Sequence, residues 1–391
     1  MLVHNRYQQP GGEDVVFRQE RELLERAGHS VVTYHRSNWE LDDSYIGIKQ
    51  LALAGRTIWS HDTRAEFSEI LRTAKPELIH IHNTFVVISP SIYAACQDAG
   101  IPVVQTLHNY RLFCPAATFF RNGKVCEECV EHTLWRSVQH ACYRDSRSAT
   151  AAVALMLEVH RRRKTWTRDV NCYIALTEFA RQKCVQGGLP PEKICVKPNF
   201  AYPDPGLHKC EGEYVMFAGR LAPKERIEIL LKAWSLLKNR IPLVIIGDGA
   251  PRKELEAEAA RRGLTGITFR GFLTHDETLE AMKRARMLVF SSSWYETFPL
   301  TIAEAFACGI PVVCSRIGAM QEMVEDNRTG LNFISGNAED LAAKVDWAWN
   351  NKEQVRAMGQ EARREYESKY TAEKNYLILM DIYRRAIGKT A

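Results

Sequence analysis

Ser293-Trp-Tyr-Glu296-Thr-Phe-Pro299-Leu-Thr-Ile-Ala-Glu304-Ala-Phe-Ala-Cys-Gly309-Ile-Pro311 stands directly after the apolar run Met287–Phe290. The run reads as a buried strand, and the segment after it as a loop followed by a helix. Proline lacks an N–H and suits the first helical position, which places Pro299 there. The helix then reaches about Cys308, and Gly309 fits its C-terminal cap. On this reading Glu296 lies in the loop at the strand's carboxyl end and Glu304 on the second helical turn. The N–H groups of Leu300 and Thr301 have no partner inside the helix, so a diphosphate can be held there. A carboxylate accepts two hydroxyls, so one glutamate per sugar ring is chemically sensible.

Outward from this stretch the chain repeats one rhythm. Apolar runs Val31–Tyr34, Leu78–His82 and Val103–Leu107 alternate with helical periods such as Val15–Ala27. The rhythm resumes at Tyr214–Ala218, Leu243–Ile246, Ile267–Phe269 and Pro311–Cys314. Strands alternating with helices predict an α/β protein with parallel sheets covered on both faces, here two Rossmann-like domains. Prolines interrupt both periods near Val196–Gly206, which sets the domains at 1–198 and 199–371. A last helix, about Ala372–Ala386 within 372–391, is expected to cross back onto the first domain. The first strand reads as clipped, with about four residues before Asn5-Arg6.

Composition narrows the class. Of 391 residues 46% are apolar and 25% charged, as in globular proteins. A net charge of +5 is too dilute to indicate nucleic acid, though it suits phosphate-rich ligands. Met1–Pro10 has no apolar core of a signal peptide, and Ala149–Leu157 is too short to span a bilayer. Eleven cysteines without an export signal point to the reducing cytoplasm, with any membrane contact peripheral, at the inner face. The basic run Arg161-Arg-Arg-Lys164, with Trp166 and Arg168, reads either as a solvated helix face or as a surface for anionic lipid.

In open parallel sheets ligands sit beyond the carboxyl ends of strands, so motifs placed there carry the functional reading. Gly11-Gly12 follows the first strand and lets backbone approach a phosphate or sugar closely. His108 ends the strand Val103–Leu107. Arg220 follows Tyr214–Ala218, where it can stabilise charge on a leaving diphosphate.

These pieces together resemble the retaining glycosyltransferases of family four, which have the GT-B fold with two Rossmann-like domains facing across a cleft. Glu296 and Glu304 match that family's Glu-x7-Glu motif. Gln9-Pro-Gly-Gly-Glu-Asp14 is similar to its glycine-rich first loop, and Thr106-Leu-His108-Asn-Tyr-Arg111 to its Thr-Leu-His segment. Phe217-Ala-Gly219-Arg220-Leu221, Ile246-Gly-Asp-Gly249 and Ile317-Gly-Ala-Met-Gln-Glu322 match further turns. The resemblance implies transfer of a hexosyl group from a nucleotide diphosphate sugar, UDP favoured and GDP allowed, to a saccharide or lipid-linked acceptor. A role in cell-surface polysaccharide or glycoconjugate synthesis follows from the same resemblance. It implies that Glu304 holds ribose hydroxyls, that Glu296 contacts the transferred sugar, and that His108 hydrogen-bonds the donor sugar. Gly11, Gly12, Gly219, Phe272, Phe298, Pro299, Leu300 and Thr301 complete the donor set, with Glu13 and Asp14 near the acceptor. No catalytic metal is implied. One departure stands out: Glu225 and Arg226 occupy the family's Lys and Gly positions, leaving Lys224 or Arg226 as the second cation. A binding-only protein and a nucleotide-sugar epimerase or hydrolase of the same fold are the alternatives.

Cys114, Cys126, Cys129 and Cys142 form a separate group, with eleven, two and twelve residues between them. This spacing suits either a structural zinc or four reduced thiols in a polar insertion over about 113–147.

Overall fold

The computed structural model describes residues 1–8, 11–40, 48–208, 212–222 and 225–388, with side chains masked for 48–52. Strands come in chain order as β1 (Leu2–Arg6), β2 (Thr33–Ser37), β3 (Ile79–Asn83), β4 (Val103–Thr106), β5 (Phe120–Arg121), β6 (Lys124–Val125), β7 (Cys172–Ala175) and β8 (Ile194–Val196). They continue as β9 (Tyr214–Ala218), β10 (Leu243–Ile246), β11 (Ile267–Gly271), β12 (Ala285–Phe290), β13 (Val312–Ser315) and β14 (Gly330–Phe333). Two six-stranded sheets result, ordered β2-β1-β3-β4-β7-β8 and β11-β10-β9-β12-β13-β14, and every pairing within them is parallel. The two sheets therefore form the expected α/β architecture. One compact unit comprises Met1–Phe119, Cys126–Pro198 and Asn375–Ala391; the other comprises Phe120–Val125 and Asn199–Lys374.

Local chemistry explains the element ends. The helix Arg147–Arg162 starts where Ser146 Oγ accepts from the Ala149 N–H, and Glu178–Gln186 where Thr177 Oγ1 accepts from Ala180. Alternation along β3 puts Ile79 and Ile81 on one face and His80 and His82 on the other, all buried. The second unit packs Val215, Phe217, Leu243, Ile245, Met287 and Val289 against Ile227, Leu230, Leu231 and Leu341 from its helices.

Several expectations shift. Asn5 and Arg6 belong to β1, which pairs with β2 from Leu2↔Thr33 to Arg6↔Ser37. β2 starts two residues later than the run Val31–Tyr34 and ends three later, with Tyr34 buried and Thr33 and Ser37 half-covered. β7, β8 and β14 are additions to the strands read from the sequence; β8 spans only three residues, and in β14 the polar Asn332 is buried and donates to the Val324 carbonyl at 2.9 Å. Trp166 is buried between Tyr93 and His160, so the basic run at 161–168 presents cations without an exposed aromatic. Among the described residues no helix is long and apolar enough to cross a membrane.

One buried polar contact ties the first unit together. Lys197 Nζ, at the end of β8, is 2.5 Å from Glu20 Oε1 on the helix Gly12–Arg26 and 3.1 Å from Asn375 Oδ1 on the helix Ala372–Ile387. Asn375 Nδ2 in turn donates to the Pro198 carbonyl at 2.6 Å. Lys197 and Glu20 are fully buried. Removing one partner of such a pair leaves an uncompensated charge in the interior. Lys197→Met should therefore cost about 3–5 kcal/mol in urea unfolding, and the added change Glu20→Leu should recover much of that loss.

Candidate functional site

In the second unit the chain leaves β9 toward β10 and leaves β12 toward β13, on opposite sides. A crevice opens at such a switch point beyond the strands' carboxyl ends. Gly219 and Arg220 follow β9 and are exposed, while Ser291–Phe298 follow β12. The two loops are joined, since Ser291 Oγ donates to the Glu225 carbonyl at 2.6 Å. Of the sequence-predicted residues, Arg220 and Glu296 lie on these two loops and Glu304 on the helix that follows the second.

The helix after β12 runs Leu300–Ala307, one residue later than expected, with Pro299 as its N-cap. Pro299 has ψ 97°, so it still belongs to the extended loop and its carbonyl accepts from the Ile302 N–H at 3.0 Å. Cys308 closes the helix, and Gly309 at φ 71° takes the left-handed position that follows. The first N–H groups, from Leu300 and Thr301, lie at the positive end of the helix. Glu304 is buried, and its Oε1 is 2.9 Å from His275 Nε2. His275 was not foreseen. Its signal was the capping box of Thr274 and Glu277 just past β11, which starts the helix His275–Met282.

Other donor-set residues divide. Phe272 is 77% exposed beyond β11, open to a ligand. Phe298 is buried with its ring edge-on to Tyr370 at 5.6 Å, so its side chain packs the core instead of facing a ligand. Lys224 lies outside the described residues. Arg226, at φ 56°, forms the N-cap of the helix Ile227–Leu236, and its Nε is 3.5 Å from Glu228 Oε1. That carboxylate draws part of the charge the sequence assigned to a diphosphate.

Backbone hydrogen bonds hold the Arg220 turn. Gly219 N–H donates to the Ile246 carbonyl and Leu221 N–H to the Asp248 carbonyl, both at 3.0 Å. A Cβ on Gly247, which has φ 133°, would fall 1.8 Å from Gly219 O; one on Gly249 would fall 2.0 Å from Leu221 O. The segment Ile246–Gly249 therefore serves as a base on which the turn rests.

In the first unit the switch point lies between β1 and β3. Gly11 and Gly12 follow β1, and a Cβ on either would meet nothing within 4 Å. Gly11 is extended at φ −132°, so neither packing nor backbone strain requires glycine there. Asp14 does structural work: its Oδ2 accepts from the Gly11 N–H at 2.8 Å and its Oδ1 is 2.9 Å from His4 Nε2. Each of its oxygens thus already serves one contact within the fold. Glu13 instead accepts from Asn83 Nδ2 at 3.0 Å and Asn109 Nδ2 at 3.5 Å. Burial, and secondly the Asp14 charge, push its carboxyl up to about 8. His108 lies just past β4 with its Nε2 2.9 Å from His82 Nδ1, the rings stacked. Burial, then the neighbouring His82, hold its pKa well below the usual imidazole range, so it is neutral near pH 7.

Cys126 follows the β5–β6 hairpin, Cys129 sits in the helical turn Glu128–Glu131, and Cys114 is buried. Burial and then Cys114, Cys142 and Cys126 raise the Cys129 thiol to about 12, which places the four in one neighbourhood. Among the described residues, the group whose ligand atoms all lie within 4.8 Å of one another is Glu20, His80 and His82.

Comparison with known proteins bears on this arrangement. Residues 10–204 match the family described as Glycosyltransferase Family 4, and residues 201–365 match Glycosyl transferases group 1. An uncharacterized glycosyltransferase of Methanocaldococcus jannaschii is 30% identical over 44% of this chain and 49% of its own length. The O-antigen chain mannosyltransferase C of Escherichia coli is 28% identical over 41% and 43%. These alignments span less than half of each relative. HepE of Anabaena, solved with UDP, superposes with TM-score 0.69 at 18% identity over 98% of this chain and 99% of that one. A sucrose-phosphate synthase of Thermosynechococcus elongatus superposes with TM-score 0.72 at 18% identity over 100% and 99%.

Two outcomes follow from the geometry. Gly249→Ala must push Leu221 aside; it should lower the melting temperature by several degrees and displace the Arg220 turn in a crystal structure. Glu13 titrates from about 8 in the fold against a usual value near 4.5. Its raised pKa means that stability is intact below about pH 4.5 and is lost as pH rises through 8. Glu13→Gln should leave the melting temperature unchanged near pH 4 and raise it relative to wild type at pH 9.

Proposed function

Because the chain belongs to the group 1 glycosyltransferases of family four, with the GT-B fold, we propose that it transfers a hexosyl group from a nucleotide diphosphate sugar, with retention at the anomeric carbon. The observation that carries this reading is the second unit's switch point. There the start of the helix Leu300–Ala307, buried Glu304 and exposed Arg220 come from loops tied by Ser291. The helix start and Arg220 stabilise the charge that builds on the departing diphosphate, the largest single contribution in such a transfer. Glu304, oriented by His275, takes the ribose hydroxyls, and Glu296 takes the transferred sugar. The bond from the anomeric carbon to the diphosphate oxygen breaks as the acceptor oxygen bonds to that carbon. The acceptor's proton passes to the departing oxygen, so no strong protein base is required.

A UDP-sugar is the favoured donor, because HepE, whose fold is shared, was solved with UDP and with UDP-glucose. The acceptor in this reading is a saccharide or a lipid-linked saccharide. Gly11 and Gly12 support ligand approach in the first unit, since nothing in the fold itself calls for glycine there. A structural zinc on Cys114, Cys126, Cys129 and Cys142 is part of the proposal. It rests on their spacing and shared neighbourhood, and elemental analysis finding one zinc per chain supports it while substoichiometric metal removes it.

A sugar-nucleotide-binding protein without turnover is the second reading, favoured by one observation: Glu225 stands at the family's lysine position, and Arg226, a candidate replacement, is paired with Glu228. Turnover with a panel of UDP- and GDP-sugars separates the two, and product analysis with donor alone separates transfer from hydrolysis. Glu304→Ala and Arg220→Ala should each lower kcat/KM by about 100-fold or more while the melting temperature stays within a few degrees of wild type. Near-normal turnover in both variants would remove the assignment.

A further inference from the structure

We propose that Glu20 and His82 are positioning residues for His108, holding its ring in one orientation and in one neutral tautomer, with the proton on Nε2. The proposal rests on the reading that His108 meets the donor sugar.

The argument is a chain of obligations that begins in the interior. Glu20 is fully buried, and Lys197 Nζ lies 2.5 Å from its Oε1. Burial alone favours the protonated acid, but the Lys197 charge and the imidazoles outweigh it, so Glu20 is a carboxylate and can only accept. Its other oxygen, Oε2, lies 3.4 Å from His82 Nε2, too poorly aligned for a hydrogen bond. A bare nitrogen there would set its lone pair against the carboxylate, so the proton on His82 is favoured at Nε2. In a neutral ring this leaves Nδ1 bare, and a bare Nδ1 can only accept. His108 Nε2, 2.9 Å away, must then be the donor. The stacked rings, 18° from parallel with centroids 5.1 Å apart, hold that geometry from a second direction.

His80 does not divert the chain. Its Nδ1 is 2.8 Å from Tyr383 Oη and its Nε2 is 2.7 Å from Thr106 Oγ1, so both nitrogens are committed to hydroxyls. The same facts argue against a metal on Glu20, His80 and His82, although their ligand atoms lie within 4.8 Å of one another. The Lys197 ammonium already occupies the carboxylate and would repel a cation. A buried carboxylate–imidazole–imidazole relay is what remains, and its outer end is the residue just past β4.

Fixing the tautomer matters because a histidine that exchanges tautomers offers a sugar hydroxyl an acceptor in one state and a donor in the other. A histidine held with Nε2–H presents Nδ1 as a constant acceptor.

The test uses the full chain with 15N-labelled histidine and three variants. His108→Ala assigns the resonances. His82→Phe keeps the ring but removes the acceptor, and His82→Asn places an amide oxygen near the former Nδ1. Wild-type His108 should show an Nε2-bound proton, and His82→Phe a mixture of tautomers. With the donor that the wild type uses, His82→Phe should lower kcat about tenfold with the donor KM changed less than about threefold. His82→Asn should restore most of the loss. A His108 protonated on Nδ1 in the wild type, or a His82→Phe enzyme with wild-type kcat, overturns the proposal. If the wild type consumes no nucleotide sugar, the functional reading fails; the tautomer seen by NMR then decides this inference alone.

Discussion

A carboxylate buried away from water has to be compensated, and the first unit is organised around that requirement at Glu20. Lys197 supplies the charge, Asn375 and the Pro198 carbonyl complete the polar shell, and His82 and His80 crowd the other oxygen. Breaking any one of these contacts exposes the others to the cost of an unpaired group in a low-dielectric interior. Three distant pieces of chain, the helix Gly12–Arg26, the end of β8 and the helix Ala372–Ile387, therefore have one relative arrangement within this unit. Its consequence reaches the surface, because the same carboxylate sets the proton on His82 and through it the state of His108.

The second unit solves a different problem. Its candidate site needs an exposed arginine, yet an exposed turn after a strand is ordinarily mobile. Backbone contact supplies the rigidity: Gly247 and Gly249 let one loop lie directly against Gly219–Leu221, and Ser291 fastens the far end of the turn at Glu225. Glu304 follows the same logic, held by His275 from a neighbouring helix while remaining at the carboxyl end of the sheet.

Much of this was legible in the chain. The stretch from Ser293 to Pro311 was readable because a buried strand, a helix start and a glycine cap each leave local signatures. The helix falls within a residue of its expected start, and the sheet class follows from the alternation of strands and helices. Three strands, β7, β8 and β14, were not read: β8 has only three residues, and Asn332 in β14 looks solvent-facing until its carbonyl partner is known. Asp14 and Phe298 were read as ligand contacts because their positions match a motif. Position in sequence does not reveal that a carboxylate already satisfies a helix start or that a ring already packs on Tyr370.

By itself the sequence determined the fold class, the family, the loops in which Arg220, Glu296 and His108 would sit and the helix that carries Glu304, since these depend on spacing and local hydrogen-bonding rules. Only the tertiary structure decided which groups support them. His275 on Glu304, the glycine base beneath Arg220, and the relay from Lys197 through Glu20 and His82 to His108 join residues up to 177 positions apart. No local pattern encodes such pairings, because burial selects them: a polar group removed from water must find its partner wherever the chain brings one.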